Sequence, residues 1–219
     1  MRLKAKPYER RWLPRALLAL YAVVWLACAI NPLYPSDWLI ENLLVFLALP
    51  TVLLAWRRQR FSDGACLAMF LFFSLHSVGS HYTYAEVPYD RWWQALTGHT
   101  LNAQLGWQRN HFDRLVHFAY GLLMTPVFTE LLGRVARVRS AGWMCALVAS
   151  FMALHAMAYE LVEWGTALVV APELGAAYLG TQGDTWDAHR DMAFATLGNA
   201  VALAWLLVRQ RLPLAGPAH

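Results

Sequence analysis

The chain has 219 residues, of which 58% are hydrophobic and 15% are charged, whereas soluble globular chains are nearer half apolar and a quarter charged. The apolar residues stand in long blocks, which indicates a lipid environment and excludes a large soluble domain. The net charge of +4 does not indicate nucleic-acid binding, because the basic residues form short clusters between apolar blocks, as topology determinants do. The cysteines stand singly, so neither a disulfide framework nor a zinc knuckle is indicated.

Six apolar blocks follow one another along the chain, each about as long as a helix must be to cross the hydrocarbon layer of a bilayer. A helix satisfies its backbone hydrogen bonds internally, as lipid requires. The sequence therefore predicts an all-α fold, a polytopic membrane bundle that forms a single domain over residues 1–219. The six predicted transmembrane helices cover residues 13–30, 38–56, 64–80, 114–133, 141–164 and 192–208.

The distribution of Lys and Arg predicts the orientation of the bundle. Fourteen of these residues lie in the two termini and in the loops after the second and fourth blocks, and four lie on the other side. The side richer in Lys and Arg is cytoplasmic, so both termini are predicted to be cytoplasmic. A competing interpretation takes the first block, with its Ala27-Cys28-Ala29, as a cleavable signal peptide.

Two segments on the predicted outer side, about residues 81–113 and 165–191, are longer than a connection requires. The first contains Trp92, Trp93 and Trp107 among polar residues, so we expect it to lie along the outer headgroup layer. These segments and the helix ends beside them carry nine of the fourteen acidic residues and seven of the eight histidines. Ionisable groups at membrane depth are costly, so we expect them to face the bundle interior or a watery cavity.

Acids and imidazoles recur there at helical spacing. Asp113 and His117 are four residues apart, one turn along one helix face. Glu163 lies four residues after Tyr159 in the fifth block, with Glu160 beside them.

The last block shows the same spacing. Asp184, Asp187 and Asp191 form one stripe if the sixth helix starts before Asp184. Gly198 continues that stripe, where a missing side chain would let another helix approach.

The acids and histidines of this outer side outnumber its arginines, so several carboxylates would have to share a cation, share protons or pair with a base. One interpretation is a divalent-metal site, whose metal-bound water could drive hydrolysis or transfer. The other is a hydrogen-bonded polar core or a headgroup site without chemistry. Candidate metal ligands are Asp113, His117, Glu160, Asp187 and Asp191, and candidate catalytic residues are Asp113, His117, Glu160, Glu163 and Asp191.

Other polar residues have simpler interpretations. Glu130 and Arg134 are four residues apart and predict a surface ion pair at the cytoplasmic end of the fourth helix. Glu41, in the second block, is predicted to extend its carboxylate toward the outer headgroup layer.

Four motifs of the chain, in this order, resemble the YjdF family of bacterial inner-membrane proteins. They are residues 79–88 (Gly-Ser-His-Tyr-Thr-Tyr-Ala-Glu-Val-Pro), 109–114 (Arg-Asn-His-Phe-Asp-Arg) followed by His117-Phe118, 159–164 (Tyr-Glu-Leu-Val-Glu-Trp) and 180–187 (Gly-Thr-Gln-Gly-Asp-Thr-Trp-Asp) followed by Asp191-Met192. The resemblance covers about residues 10–210 and implies a membrane protein of unknown function. The residues expected to bind a ligand are His81, Tyr84, Glu86, Arg109, His111, Asp184 and Asp187.

A more distant similarity is to the VanZ-like proteins, whose first-named member is linked to teicoplanin resistance. In their pattern one span begins with an Asp and a His, the next span ends with a Glu, and the last span contains an Asp and a Gly. The matching residues here, in the same order, are Asp113, His117, Glu160, Asp191 and Gly198. The VanZ-like pattern commonly has Asn four residues after the last Asp, where this chain has Ala195. A function that needs that Asn is therefore not implied.

These observations predict an inner-membrane protein whose outward-facing acidic and histidine-rich site binds a cell-envelope lipid or its headgroup, with a divalent metal as a possible cofactor. Its predicted partners are the lipid bilayer and that lipid, and not nucleic acid. Two alternatives stay open. One is a metal-dependent membrane hydrolase or transferase, and the other is a proton-coupled transporter in which the acids relay protons.

Overall fold

A computed structural model describes residues 12–58, 61–169 and 181–209, except for the side chains of residues 44, 53 and 55–58. The basic N-terminal residues 1–11, the C-terminal residues 210–219 and residues 170–180 of the second predicted outer segment lie outside the described residues. Within the described ranges all regular structure is helical, with no strand. The all-α prediction is therefore confirmed.

Six long helices and two short ones make up the described structure. The long ones are α1 (Leu13–Ala29), α2 (Pro35–Arg58), α3 (Asp63–His81), α6 (Phe112–Arg134), α7 (Ala141–Val169) and α8 (Asp187–Val208). The short helices α4 (Tyr89–Thr97) and α5 (Leu101–Leu105) lie in the connection between α3 and α6.

Each predicted span corresponds to one long helix. Four helices of the described chain, α3, α6, α7 and α8, are long and apolar enough to cross a membrane. Helix α1 is apolar but has 17 residues, and α2 has 24 residues and carries Asp37 and Glu41 in its first turns. That all six helices span the bilayer stays a prediction.

Helices α6 and α8 form the most extensive contact of the bundle, because each contributes a glycine at their crossing. A Cβ atom on Gly121 would lie 2.0 Å from the backbone oxygen of Ala195, and one on Gly198 would lie 2.1 Å from that of Phe118. The expectation that Gly198 admits another helix is therefore confirmed. Beside this crossing, Asn199 Nδ2 donates to Thr125 Oγ1 over 2.6 Å, which satisfies two buried polar side chains.

Helix α3 lies between α1 and α6 and supplies much of the apolar core. Tyr21 of α1 packs against Phe73 with ring centroids 6.0 Å apart, and Phe72 packs against Tyr120 of α6 at 5.5 Å. The first turn of α3 is capped by Ser62, whose Oγ accepts from Ala65 N over 3.2 Å. These contacts hold the start of α3 and its middle, which fixes where the helix ends.

The predicted pair of Glu130 and Arg134 is confirmed, with 3.1 Å between Arg134 Nη2 and Glu130 Oε2. The same carboxylate also accepts from the backbone N–H of Ser62 over 3.0 Å. Glu130 therefore joins the beginning of α3 to the end of α6, a role that the local spacing did not indicate.

We expect Gly121→Ala to destabilise the protein by about 1–3 kcal/mol, because the new methyl group must push backbone against backbone at the α6–α8 crossing. The measurement is thermal unfolding of detergent-purified protein. Gly165→Ala is the matched control, since no other part of the described chain lies within 4 Å of the added methyl group there. Equal melting temperatures for the two variants would contradict this account of the crossing.

Candidate functional site

The predicted ionisable residues meet at one end of the bundle, here called the polar end, where α3 ends and α6 and α8 begin. Asp113 and His117 lie in the first two turns of α6, and Asp191 lies one turn into α8. Helices α6 and α8 start at the same end and therefore run parallel, while α7 approaches with its C-terminal half and brings Glu160 there. The structure thus joins residues from three helices.

Asp113, His117 and Asp191 form a compact group. One ligand atom from each, two carboxylate oxygens and an imidazole nitrogen, lies within 4.8 Å of the other two. Asp191 is 2% exposed and His117 is 8% exposed. Zinc holds such ligands at about 2.0–2.2 Å in tetrahedral geometry, so two ligand atoms on one zinc lie about 3.4 Å apart. A small side-chain adjustment would close this group around an ion.

Glu160 completes the group on the α7 side, with its Oε1 atom 3.5 Å from His117 Nε2. The same nitrogen lies 3.5 Å from Asp113 Oδ1, so one imidazole faces two carboxylates. Glu160 Oε1 and Asp191 Oδ1 are buried and have no hydrogen-bond partner among the described residues. Because an unsatisfied buried oxygen is costly, these two atoms are the ones that a bound cation or a polar ligand would satisfy.

Asp184 and Asp187, by contrast, are held by arginines. Arg114 Nη2 lies 2.6 Å from Asp184 Oδ2, and Arg109 Nη1 lies 2.6 Å from Asp187 Oδ1. Arg190 also pairs with Asp184. The network ties the segment before α6 to the segment before α8. The metal role predicted for Asp187 stays a prediction, but these contacts favour an ion pair for it.

The predicted single stripe of Asp184, Asp187 and Asp191 is not formed. It required a helix that begins before Asp184, whereas α8 begins at Asp187. Asp184 instead lies in the preceding turn and accepts from the backbone N–H of Trp186 over 3.0 Å. Only the last two of the three acids share the helix.

His111 stands beside this network. Burial lowers the pKa of His111, and the guanidinium groups of Arg114 and Arg109 lower it further. A neutral ring can accept a hydrogen bond, and Arg114 Nη1 lies 3.3 Å from His111 Nδ1. His111 is therefore oriented by an arginine and extends the network toward the beginning of α6.

The loop after α3 folds back under its own helix end. Gly79 leaves room for the ring of Tyr84, because a Cβ atom there would lie 2.4 Å from that ring. Burial raises the pKa of Tyr84, so its hydroxyl stays protonated, and it pairs with Nδ1 of the buried His76. His76 Nε2 in turn lies 3.3 Å from the backbone oxygen of Glu41, which fixes the proton on that nitrogen.

His81 and Glu86, also predicted to bind a ligand, lie at the edge of the polar end. His81 Nδ1 donates to the backbone oxygen of Cys28 over 2.9 Å, which joins α3 to the end of α1. Glu86 is exposed and accepts from Tyr34 Oη over 3.3 Å. Neither residue joins the group around His117, and their binding role stays a prediction.

The prediction that Glu41 extends toward the headgroups is wrong. Glu41 is 4% exposed and accepts a hydrogen bond from Tyr159 Oη over 2.8 Å. This bond joins α2 to α7. Together with the half-buried Glu163, which lies within electrostatic range of Glu41, Asp113 and Asp191, it extends the acidic group across the interior of the bundle.

A cavity of about 500 Å³ begins at this acidic group. Asp113, His117 and Tyr159 line one part of it, with His76 and Tyr84 beside them. The rest of its wall is mainly apolar and follows α6 away from the polar end. The polar end therefore connects to a hydrocarbon-like interior space.

We expect Arg114→Met to lower the stability of the folded protein by about 1–3 kcal/mol, because it removes a buried cation from Asp184 and Asp187 while Arg109 still pairs with both carboxylates. Arg190→Met is the control, since that side chain is 52% exposed and its ion pair contributes about 1 kcal/mol or less. Melting temperatures in detergent compare them. A smaller loss for Arg114→Met than for Arg190→Met would show that burial does not govern this network.

Comparison with known proteins is consistent with this architecture. A family profile described as "Predicted membrane protein (DUF2238)" matches residues 13–212. The chain is also 36% identical over 171 residues to a protein of Escherichia coli (strain K12) described as "Inner membrane protein YjdF", an alignment that covers 77% of each chain. No solved structure matches the chain. The similarity to the VanZ-like proteins stays a prediction, whereas the match over residues 13–212 shows that the chain belongs to this family of predicted membrane proteins of unknown function.

Proposed function

We propose that the polar end binds a divalent cation through Asp113, His117 and Asp191, and that the cation holds the headgroup of a cell-envelope lipid. One observation carries the proposal. The ligand atoms of these three residues lie within 4.8 Å of one another, and a carboxylate oxygen of the 2%-exposed Asp191 has no partner among the described residues. Three protein ligands leave further coordination positions for water or for a headgroup oxygen.

The charges around the group support a cation. The imidazole of His117 lies within 4 Å of both Asp113 and Glu160, and among the described residues it is the base that these two acids share. Facing carboxylates repel one another, and burial makes that repulsion more costly than it is in water. A divalent ion would remove the repulsion and satisfy the unpaired oxygen atoms. Oxygen and imidazole ligands suit zinc, manganese or iron, and the residues do not select among these.

We further propose the orientation that the charges predict. The polar end faces the outer leaflet of the inner membrane, both termini are cytoplasmic, and all six long helices cross the bilayer. Arg134 near the opposite end of α6 agrees with that orientation. The side chains of α4 support a position of this helix at the membrane interface. Trp92 is 46% exposed and Trp93 is 39% exposed, and tryptophan rings favour the headgroup level of a bilayer.

We expect protein purified without chelators to carry about one divalent ion per chain, and Asp191→Asn to lose it, because the amide removes a charged ligand. Mass spectrometry of the elements measures the ion content. Glu86→Gln is the matched control, since this exposed carboxylate lies at the same end but outside the group.

Wild-type protein that stays free of metal after dialysis against zinc, manganese and iron would refute the cation. In that case a folded Asp191→Asn with a raised melting temperature would identify the group as a polar core that is costly to bury.

A metal-dependent hydrolase or transferase is the second candidate, favoured by the position of Glu160. Its buried Oε1 atom, without a hydrogen-bond partner among the described residues, stands beside the three proposed ligands, where a general base for metal-bound water would be needed.

If the protein is such an enzyme, Glu160→Gln will keep its metal but lose headgroup release from lipid by about 100-fold or more. Mass spectrometry of lipid extracts incubated with each variant follows the release. Absence of any metal-dependent product with wild-type protein would leave the binding function and exclude this enzyme.

A further inference from the structure

The cavity below the polar end is long and narrow. Its wall includes residues of α6 from Asp113 to Leu131, a stretch of about 27 Å at 1.5 Å per residue. That length is most of a ~30 Å hydrocarbon layer. The cavity's volume of about 500 Å³ over such a length makes it a space that a hydrocarbon chain can occupy.

The chemistry of the wall changes along that length. Polar side chains of Asp113, His117 and Tyr159 line the cavity at the polar end. Farther along, the wall consists of residues such as Met124, Val127, Phe128 and Leu131. Apolar cavities of this kind remain dry and accept apolar molecules. The cavity therefore has the polarity of a lipid, with a polar end and a long apolar part.

The cavity also reaches the outer surface of the bundle between α2 and α7. Leu47 of α2 and Phe151 of α7 both line it, and they are 73% and 41% exposed. Thr51 and His155, which line it between the same two helices, are exposed as well. Because these helices face the bilayer, the opening is reached from lipid. At the polar end this opening is bounded by the hydrogen bond between Tyr159 and Glu41.

We propose that this cavity holds one hydrocarbon chain of a membrane lipid, and that the chain enters sideways between α2 and α7. This proposal rests on the proposed function, because it requires that the headgroup of the same lipid binds at the polar end. Lipid tails are as apolar as the wall, so the chain gains little by leaving the bilayer. The headgroup contacts therefore select the lipid, and the cavity aligns its chain below the metal group.

The test uses full-length protein in vesicles of phosphatidylethanolamine and phosphatidylglycerol, with a phosphatidylglycerol that carries a diazirine at the end of one acyl chain. After illumination, peptide mass spectrometry locates the label. We expect label on α6 at Val127, Phe128 or Leu131, which line the cavity. Label confined to side chains on the outer surface, such as Leu161 and Val162 of α7, would overturn the proposal.

A variant that fills the cavity sharpens the test. Ala156 lines the cavity and is 4% exposed, so Ala156→Phe should reduce labelling of the α6 peptides by about tenfold or more. Ala153→Phe is the matched control, because Ala153 is exposed on the same helix, and its labelling should stay within about twofold of wild type. Equal labelling in the two variants would overturn the proposal.

Met124→Trp provides a second blocking variant, from the opposite wall, if Ala156→Phe does not fold. Metal content is measured on every preparation. Loss of chain labelling with metal retained identifies a blocked cavity beside an intact polar end. Chain labelling in protein that stays metal-free after dialysis against zinc, manganese and iron would refute the proposed cation while leaving the chain in the cavity.

Discussion

The close crossing of α6 and α8 is the constraint on which the polar end depends. The two helices run parallel, and Gly121 and Gly198 bring their backbones into contact. Asp113 and Asp191 each lie about two helical turns before the glycine of their own helix. The crossing therefore sets both carboxylates at the same depth and close enough to share one ion. Without this crossing, the one-turn spacing of Asp113 and His117 would place two candidate ligands on α6, and no carboxylate of α8 would lie opposite them.

The sequence predicted the helices and part of the group because those features are local. Long apolar runs specify the helices, and the four-residue spacing of Asp113 and His117 specifies a shared face. Gly198 was predicted from its register with Asp191. Its counterpart Gly121 was not, because nothing local distinguishes a glycine at a helix crossing from one such as Gly165, which has no close neighbour in the described part of the chain.

The features that sequence reasoning missed all depend on distant partners. A carboxylate in an apolar run can point toward headgroups or toward the interior, and for Glu41 the choice depends on Tyr159, which lies 118 residues away. The aspartates were likewise equivalent in sequence, yet Asp184 and Asp187 meet Arg109 and Arg114. Because the acids and histidines outnumber the arginines of the outer segments, the sequence indicates that some carboxylates pair with a base, but the start of α8 at Asp187 decides which acids remain for the interior.

The two sets of acids at the polar end are neutralised in different ways, and this difference bears on function. Arginines from the segment before α6 and from the first turn of that helix pair with Asp184 and Asp187, which ties the two segments together. The deeper group around His117 has carboxylate oxygens that stay unsatisfied among the described residues, although burying such atoms is costly. The cost falls where the group borders the largely apolar cavity. A cation there would offset the repulsion among the acids and present a positive charge to the headgroup that we propose, whereas one more arginine would satisfy the acids and occupy the space of that headgroup.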